Sequence, residues 1–286
     1  MASKKNVTAR QRRIGVELRR MRDRAGMSIS EAASLLGSDR TSISNMEAAR
    51  FGVSGERVRQ LAANYACPDQ AYVEGLASMA ETRVRGWWEE YRGVLPAGPV
   101  DLAELEYHAK RLTMVDHFHI PGLLQTEEHA RGVLRLAVPQ RSEVDLLRRL
   151  THRIKRKAIF ERDTPTPCHF IVHEAALRAC LTGPDIQRRQ LDRLLEESEH
   201  EHVTIQVIPF TAPGYAGAGG AFAYASGPAP QLDTVQLDSP HGSVFLDGED
   251  QLRNYRDTLA RMQEVAMSPD ESRDFISSVR DHLRKA

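Results

Sequence analysis

Cysteines are scarce in this sequence, and long apolar runs are missing from it. Cys67, Cys168 and Cys180 are the three cysteines among 286 residues. Their odd number and wide spacing exclude a disulfide framework and predict reduced thiols in a cytoplasmic protein. Cys168 and Cys180 have no assignable His–Asp partner, so they are interpreted as small core residues rather than nucleophiles. No apolar stretch approaches the length of a membrane span, and residues 1–10 lack the apolar core of a signal peptide, so we expect no membrane partner.

The motifs of several metal-dependent and nucleotide-dependent classes are missing as well. The sequence has no Cys-x-x-Cys or His-Glu-x-x-His spacing, and its glycine-rich run at 214–220 lacks the Gly-Lys-Ser/Thr ending of a phosphate loop. Two His-x-His pairs, His117 with His119 and His200 with His202, form a metal site only if they converge in the fold. We therefore expect no metal, no cofactor and no enzymatic activity, and we interpret the glycine-rich run as a flexible hairpin or lid loop.

Positive and negative charges cancel over the whole chain but are unevenly distributed. The 39 basic and 39 acidic residues give a net charge of zero. Residues 1–66 contain 13 Lys and Arg against 6 Asp and Glu, whereas the remainder contains 26 against 33. A basic head attracts the phosphate backbone of DNA, and an acidic body argues against a second nucleic-acid site.

The segment at 22–62 has the spacing of a helix-turn-helix. Ala33 is small enough for a second helix to pass close to the first, and Gly37 tolerates the positive φ of the turn. Ile43 and Met46, three residues apart, provide the apolar inner face of the second helix. The outward face then carries side chains suited to base edges and phosphates in a major groove: Arg40, Thr41, Ser42, Ser44 and Asn45. The alternative is an ordinary helical bundle whose polar face is merely solvated.

Helix start signals support this arrangement. Ser28 followed by Glu31 predicts a capping box for the first helix of the motif. Asp39 predicts the N-cap of the second helix, and Ser54 predicts that of the helix after it. Together with an arginine-rich helix upstream, these elements predict four or five short helices around one small core.

Residues 15–66 resemble the helix-turn-helix of the phage Cro/C1-repressor class, also called XRE-type. The resemblance is carried by GVELRRMRDRAGMS at 15–28, by LGSDRTSISNME at 36–47 and by the helix after Ser54. It implies base contacts from the recognition helix, the second helix of the motif, through Arg40, Thr41, Ser44 and Asn45. It also implies an ion pair between Arg22 and Glu47 that ties the first helix of the domain to the recognition helix.

Two further predictions concern residues around the recognition helix. Arg24, Arg50 and Ser28 complete the predicted DNA contacts, with the two arginines at phosphates. Ile29 stands where the resembled class usually has a glutamine, which removes one expected contact. Ala49 stands where a glycine is common after the recognition helix, and this predicts a different path for the following loop.

Beyond residue 66 the sequence alternates between helical and strand patterns. Residues 71–91 are helical in pattern, and LPAGPV at 95–100 is typical of a linker. Strands are predicted at 113–120, 169–173, 203–209, 221–225, 234–238 and 243–246, among helices at 101–111, 126–136, 142–161, 174–181, 184–198, 249–267 and 269–283.

These patterns predict a multidomain protein of the α and α+β class, in which the strand order stays open. The predicted parts are a mobile arm at 1–8, an all-α helix-turn-helix DNA-binding domain at 9–66, a helical connector at 67–100, and a mixed α/β domain at 101–286 for regulation, partner binding and dimerisation.

The second part of the chain is similar to a C-terminal domain of actinobacterial regulators described as antitoxin-like, the WhiJ-like developmental regulators among them. The similarity is carried by IPGLLQTEEHAR at 120–131, FIVHEAALRA at 170–179, QLDRLLE at 190–196 and VTIQVIPF at 203–210. It implies a regulator that works with a small partner protein from a neighbouring gene, and it implies no known enzymatic reaction.

Candidate contact residues in this second part are Pro121, Gly122, Gln125, Glu174 and Tyr215. The turn at 121–126 and the loop at 214–220 are expected to be exposed edges that receive a partner or ligand. Glu174, between a strand and a helix, is interpreted as a helix-start cap, with a catalytic base as the alternative. The basic cluster at 148–157 is interpreted as a solvated face, with an acidic partner or operator phosphates as alternatives.

The sequence thus predicts a transcriptional regulator that binds double-stranded operator DNA as a homodimer. Dimer contacts are expected from apolar stripes on the last two helices, Leu252, Tyr255, Leu259, Met262, Phe275, Ile276 and Val279. Control through the second domain by a small protein or ligand is expected, and the alternative is an enzyme or small-molecule sensor fused to a DNA-binding head.

Overall fold

The computed structural model describes residues 7–82, 86–215, 220–239 and 241–283. Its N-terminal part, the head, is a bundle of five helices, α1 to α5, at Ala9–Arg24, Ile29–Leu36, Arg40–Glu47, Gly55–Asn64 and Gln70–Glu81. The predicted caps Ser28, Asp39 and Ser54 are confirmed, since each side chain accepts a backbone N–H of the following turn. Thr8 caps α1 in the same way, and residues 1–6 of the expected mobile arm lie outside the described residues.

The head has one core, which extends past the boundary expected at residue 66. Leu18, Ile43 and Leu61 are almost fully buried in it, as the helical spacing predicts. Helix α5 adds Tyr72, Val73, Leu76 and Ala77 to the same core. Residues 67–100 are therefore no free connector, because the first half of them packs into the head.

The second part, the body, begins with a 3-10 helix at Trp87–Tyr91 and contains seven helices and six strands within the described ranges. Helices α6 to α12 lie at Ala97–His108, Glu127–Arg135, Glu143–Lys155, Glu174–Arg178, Pro184–Glu197, Glu249–Val265 and Pro269–His282. Strands β1 to β6 lie at Arg111–Asp116, Cys168–His173, Val203–Ile208, Phe222–Ser226, Thr234–Ser239 and Gly242–Leu246. The six predicted strands are confirmed to within a few residues.

The six strands form one mixed sheet in the order β3-β2-β1-β4-β5-β6. The first three are parallel, with Val115 of β1 opposite Ile171 of β2. The last three join as antiparallel neighbours, with Val115 opposite Phe222 of β4 on its other side. Strand β1 therefore lies where the sheet changes from parallel to antiparallel pairing.

Helices cover both faces of the sheet. On one face Phe170 and Ile205 pack against Leu191 of α10 and Ile276 of α12. On the other face Ile171 and its neighbours pack against Leu252, Leu259 and Met262 of α11. The prediction that the apolar stripes of the last two helices form dimer contacts is therefore wrong, because five of their seven side chains are buried against the sheet of the same chain.

Two local expectations also differ from the structure. The linker expected at 95–100 is partly the first turn of α6, where Pro99 is tolerated because the N–H groups of a first turn have no helical partner. In α8 the expected inward residues Val144 and Leu147 are exposed, and Leu146 is buried in their place. The apolar contact of α8 with α7 is made by Leu146 and Leu150, with Ile154 packed beside them.

The head and body share a packed contact. Leu232 and Ala229 of the body belong to the core of the head. Arg20 of α1 donates to Asp247 of the body at 2.7 Å, and the backbone N–H of Ala9 donates to Asp101 of α6 at 3.1 Å. Part of the positive charge of the head is thereby neutralised by the acidic body. Over the described part of the chain, no helix combines the length and apolar character needed to cross a membrane.

Candidate nucleic-acid interface

The turn between α2 and α3 places α3 on the surface of the head. Gly37 ends α2 with a φ of 62°, the left-handed conformation that the sequence analysis requires of it. Asp39 then caps α3, and its carboxylate accepts the backbone N–H and the hydroxyl of Ser42, which lowers the pKa of Asp39. Ile43 anchors the inner face of α3, and it is 1% exposed.

The outward face of α3 presents three of the predicted DNA contacts freely. Arg40, Thr41 and Ser44 are exposed. Asn45 is half-buried, and its side-chain oxygen lies 3.3 Å from the guanidinium of Arg50. Ser42 differs, because its hydroxyl donates to Asp39 at 2.9 Å and belongs to the cap. Base reading from α3 is therefore expected of Arg40, Thr41, Ser44 and Asn45 more than of Ser42.

The three remaining predicted DNA contacts, Arg50, Ser28 and Arg24, also differ in their contacts with other residues of the chain. Arg50 is exposed directly beyond α3. Ser28 is exposed at the start of α2, and its side chain caps that helix together with Glu31. Arg24, by contrast, pairs with Glu249 of the body at 3.0 Å. Binding of Arg24 to a phosphate therefore requires that exposed ion pair to open.

The end of α3 is held by a buried ion pair. Arg22 Nε lies 2.6 Å from Glu47 Oε1, and Arg22 Nη2 lies 2.9 Å from Glu47 Oε2. Both side chains are less than a tenth exposed. Hydrogen bonding to Glu47 raises the pKa of Arg22, and the same guanidinium donates to the carbonyl of Met27 at 2.7 Å. Arg22 thus fastens α3 both to α1 and to the loop before α2.

The loop after α3 keeps a glycine-like conformation without a glycine. Ala49 has a φ of 55°. The N–H of Ala49 donates to Met46 at 3.0 Å and that of Arg50 donates to Asn45 at 2.9 Å, which is the Schellman pattern of a helix end. The prediction that the loop takes a different path at Ala49 is therefore wrong, because alanine adopts the left-handed conformation here at some cost in strain.

Gly15 is a functional residue whose role the sequence analysis missed. A Cβ at this position lies 2.4 Å from the carbonyl oxygen of Glu47 and 2.9 Å from that of Met46. Helix α1 therefore crosses the end of α3 so closely that only glycine fits. The helical pattern of α1 gave no sign of this contact, since Gly15 lies within an ordinary polar and apolar alternation.

Gly15→Ala is expected to lower both the stability of the head and its affinity for DNA. Overpacking of this kind costs about 1–3 kcal/mol, and the better helix propensity of alanine offsets about 1 kcal/mol of it. The net loss expected is up to about 2 kcal/mol, measured by chemical denaturation. Gly52→Ala is the matched control, since a Cβ there meets no atom within 4 Å. Equal stability of the two variants contradicts the close crossing.

The comparisons with known proteins agree with this division into head and body. Residues 13–73 match a family described as a helix-turn-helix domain, and residues 100–278 match a domain of unknown function, DUF5753. The second match spans more than half of the chain. The chain belongs to the DUF5753 family. The first match identifies the head as the DNA-binding domain of a regulator, and its end at residue 73 agrees with a head that extends into α5. No curated protein and no solved structure matches the chain.

Within the DUF5753 domain, the turn at 121–126 is buried rather than an exposed edge. Pro121 and Gln125 are buried, and Gly122 is half-buried. The amide of Gln125 donates to the carbonyl of Ile120 at 2.7 Å and accepts from Arg153 at 2.9 Å. These residues are therefore wrong as direct partner contacts, because the turn is folded into the core and supports an arginine of α8.

Glu174 has a structural role in the DUF5753 domain. One carboxylate oxygen accepts from Arg178 at 2.6 Å, and the other accepts the backbone N–H of Phe210 at 2.8 Å. Both oxygens are thus engaged, which favours a structural role over a catalytic base. The expectation that Glu174 caps the start of α9 is wrong, because the side chain of His173 accepts the backbone N–H of Ala175 and caps that helix. The ring of Tyr215 lies 5.3 Å from that of His173 in a tilted contact and 5.7 Å from that of His117 in an edge-on contact, and burial raises the pKa of Tyr215 to about 12. Most of the glycine-rich loop, residues 216–219, lies outside the described residues.

The two His-x-His pairs do not converge. His117 and His119 follow the carboxyl end of β1, whereas His200 and His202 precede the amino end of β3. Because β1 and β3 run parallel in the sheet, the two histidine pairs lie at opposite ends of the strands. Throughout the described ranges, no group of three or more His, Cys, Asp or Glu residues is arranged to hold a metal ion.

The three cysteines are separate. Cys168 is buried, and burial raises the pKa of its thiol, as suits a core residue. Cys180 is exposed, so the expectation that it lies in the core is wrong. It lies in the segment between α9 and α10.

Proposed function

We propose that this protein is a sequence-specific transcriptional regulator of the XRE type that acts without enzymatic activity. The observation that supports the proposal is the exposed face of α3, where Arg40, Thr41 and Ser44 stand free while Asp39, Arg22 and Glu47 hold the helix in place. A helix fixed at both ends and polar on its outer face suits insertion into a major groove. No cofactor enters the proposal.

The DUF5753 domain is proposed to be an antitoxin-like control module that receives a small protein encoded by a neighbouring gene, or a small ligand. The packed junction supports this role. Asp101 of α6 accepts from Ala9 and Arg12 of α1, and Leu232 packs into the head. A movement of α6 in the body therefore displaces α1, and α1 holds the recognition helix through Arg22.

Binding as a homodimer to a pseudo-palindromic operator remains part of the proposal. One helix-turn-helix reads only a few base pairs, so two copies are needed for a long site. The alternative function is an enzyme or small-molecule sensor attached to a DNA-binding head. The engaged carboxylate of Glu174 favours the regulator over the enzyme.

Operator affinity of the full chain tests the proposed control. It is measured with and without the product of the neighbouring gene, at fixed salt and with the partner in excess. Regulation of ordinary strength changes the affinity by about 5- to 150-fold. Equal affinities, with the partner shown to be folded, reduce the body to a scaffold.

Arg50→Ala is expected to weaken binding to every DNA sequence by a similar factor. The physical reason is that an exposed arginine beside the groove neutralises a phosphate and releases a counterion, which is independent of sequence. The slope of log affinity against log salt should become shallower by about 0.9. Anisotropy titrations at several salt concentrations measure this slope. A variant that changes the preferred sequence and keeps the slope places Arg50 at a base instead.

A further inference from the structure

A half-open basic pocket lies in the body, away from the recognition helix. It has a volume of about 360 Å³, within the range of about 300–1,000 Å³ typical of small-molecule sites. Its walls come from α6, α7, α8, the segment after β1 and the hairpin of β5 and β6. Leu95, Leu102 and Leu134 are nearly buried and contribute apolar surface to it.

Four arginines line this pocket, Arg141, Arg149, Arg153 and Arg156. Arg156 is paired with the buried carboxylate of Glu106 at 2.5 Å. Arg141 and Arg149 share a single carboxylate, that of Asp145, at 3.7 Å and 2.8 Å.

Arg153 is the least compensated of the four. Its Nη1 donates to the neutral amide oxygen of Gln125 at 2.9 Å, and it forms no ion pair with any residue that the structure describes. Gly122 leaves room for Arg156, the neighbouring arginine of the pocket, because a Cβ at position 122 would lie 3.3 Å from Arg156 Nη1. The buried turn at 121–126 therefore holds Arg153 toward the cavity and leaves room for Arg156 beside it.

The acidic groups beside the pocket only partly offset these charges. Asp238 lines the wall and accepts from Ser243 at 3.0 Å. Asp116, next to it at the end of β1, has its pKa raised to about 7 by burial and by Asp238. Burial and the surrounding arginines lower the pKa of the buried His152 to about 3, and burial and Arg153 lower that of His119. Both imidazoles are thus neutral, and His152 Nε2 has no hydrogen-bond partner among the described residues.

The position of the pocket in the sheet also suits a ligand. His119 lines it three residues after β1, the strand at which the sheet changes from parallel to antiparallel pairing. Crevices beyond the carboxyl ends of parallel strands, at a change in strand order, are common ligand sites in open α/β sheets. A concave pocket of this volume with helices on two sides favours a small molecule over a protein surface.

We propose that this pocket binds a small molecule through a phosphate group, with Arg141, Arg149 and Arg153 as the phosphate-binding residues. Guanidinium groups bind phosphate oxygens in paired hydrogen bonds, and several of them together suit a multiply charged group better than a single carboxylate. The site is independent of the DNA-binding function and is tested without DNA.

The test is isothermal titration of the full chain with inorganic pyrophosphate, at constant ionic strength set by sodium chloride. Saturable binding of one pyrophosphate per chain is expected. Arg153→Gln should weaken it by about tenfold or more, since it removes a charge-assisted contact. Arg148→Gln is the matched control, because Arg148 is exposed on the same helix and does not line the pocket. It should leave the affinity within about twofold.

Arg141→Gln provides a second variant in case Arg153→Gln alters folding, which thermal melts and circular dichroism reveal. A similar loss in either pocket variant supports the site. Absence of saturable binding to the wild-type chain at millimolar pyrophosphate overturns the proposal. Equal weakening by Arg148→Gln also overturns it, because it shows diffuse attraction to the basic helix rather than a pocket.

Discussion

Glu47→Ala should lower the free energy of unfolding of the head by about 3 kcal/mol. The substitution removes both carboxylate oxygens that Arg22 binds, at 2.6 and 2.9 Å. The guanidinium then remains buried with its remaining contacts to Met27 and Asp23, which do not replace the carboxylate that accepted two of its N–H groups. Because the pair fastens the end of α3 to α1, the recognition helix should also become less ordered.

Arg59→Ala is the matched control for this prediction. Arg59 binds Glu74 and Glu81, but all three side chains are exposed to solvent, which screens the ion pairs, so they contribute little to stability. Urea denaturation of the two variants, followed by circular dichroism, measures the difference. If Glu47→Ala costs no more than Arg59→Ala, the buried pair does not hold the head together.

Arg40→Ala should reduce operator affinity by about 1–3 kcal/mol and relax the sequence preference at one base pair. Arg40 is the first residue of α3, exposed, and directed by the Asp39 cap. A bidentate contact from arginine to guanine is the commonest specific contact in the major groove. The preference is measured by competition among duplexes that differ at single positions.

Glu31 provides a comparison for Arg40, because its side chain closes the capping box of α2 and is expected to touch no base. Glu31→Gln should keep the sequence preference, since glutamine also serves in a capping box. Unchanged affinity and unchanged preference in Arg40→Ala place the recognition surface elsewhere.

Local signals made the head predictable from the sequence. The caps at Ser28, Asp39 and Ser54 and the glycine at the turn act within a few residues, so their effect can be worked out without knowledge of the fold. The crossing at Gly15 depends on a helix some thirty residues away in sequence, and the helical pattern contains no trace of it.

In the body, strand positions were predictable and helix faces were not. The β-branched alternation marks β3 whatever lies beside it. By contrast, the apolar stripes of α8, α11 and α12 do not specify their neighbours. Val144 and Leu147 stay exposed because the contact of α8 with α7 is made by Leu146 and Leu150, whereas Leu259 and Ile276 are buried because α11 and α12 cover the sheet.

The basic cluster on α8 shows the same dependence on the fold. The sequence places six basic residues at 148–157, which favours a solvated face. The structure turns Arg148 to solvent and Arg149, Arg153 and Arg156 to the pocket. Gln125 and Glu106, which orient two of these arginines, lie 28 and 50 residues away in the chain.

The measurement that tests the central claim most directly is the affinity of the full chain for an operator selected from random duplexes, compared with a scrambled duplex of equal length at one salt concentration. Specific regulators bind their sites about 10³- to 10⁷-fold more tightly than other DNA. We expect a ratio in this range for the wild-type chain and a smaller one for Arg40→Ala. Equal affinity of the wild-type chain for the two duplexes contradicts sequence-specific binding by α3.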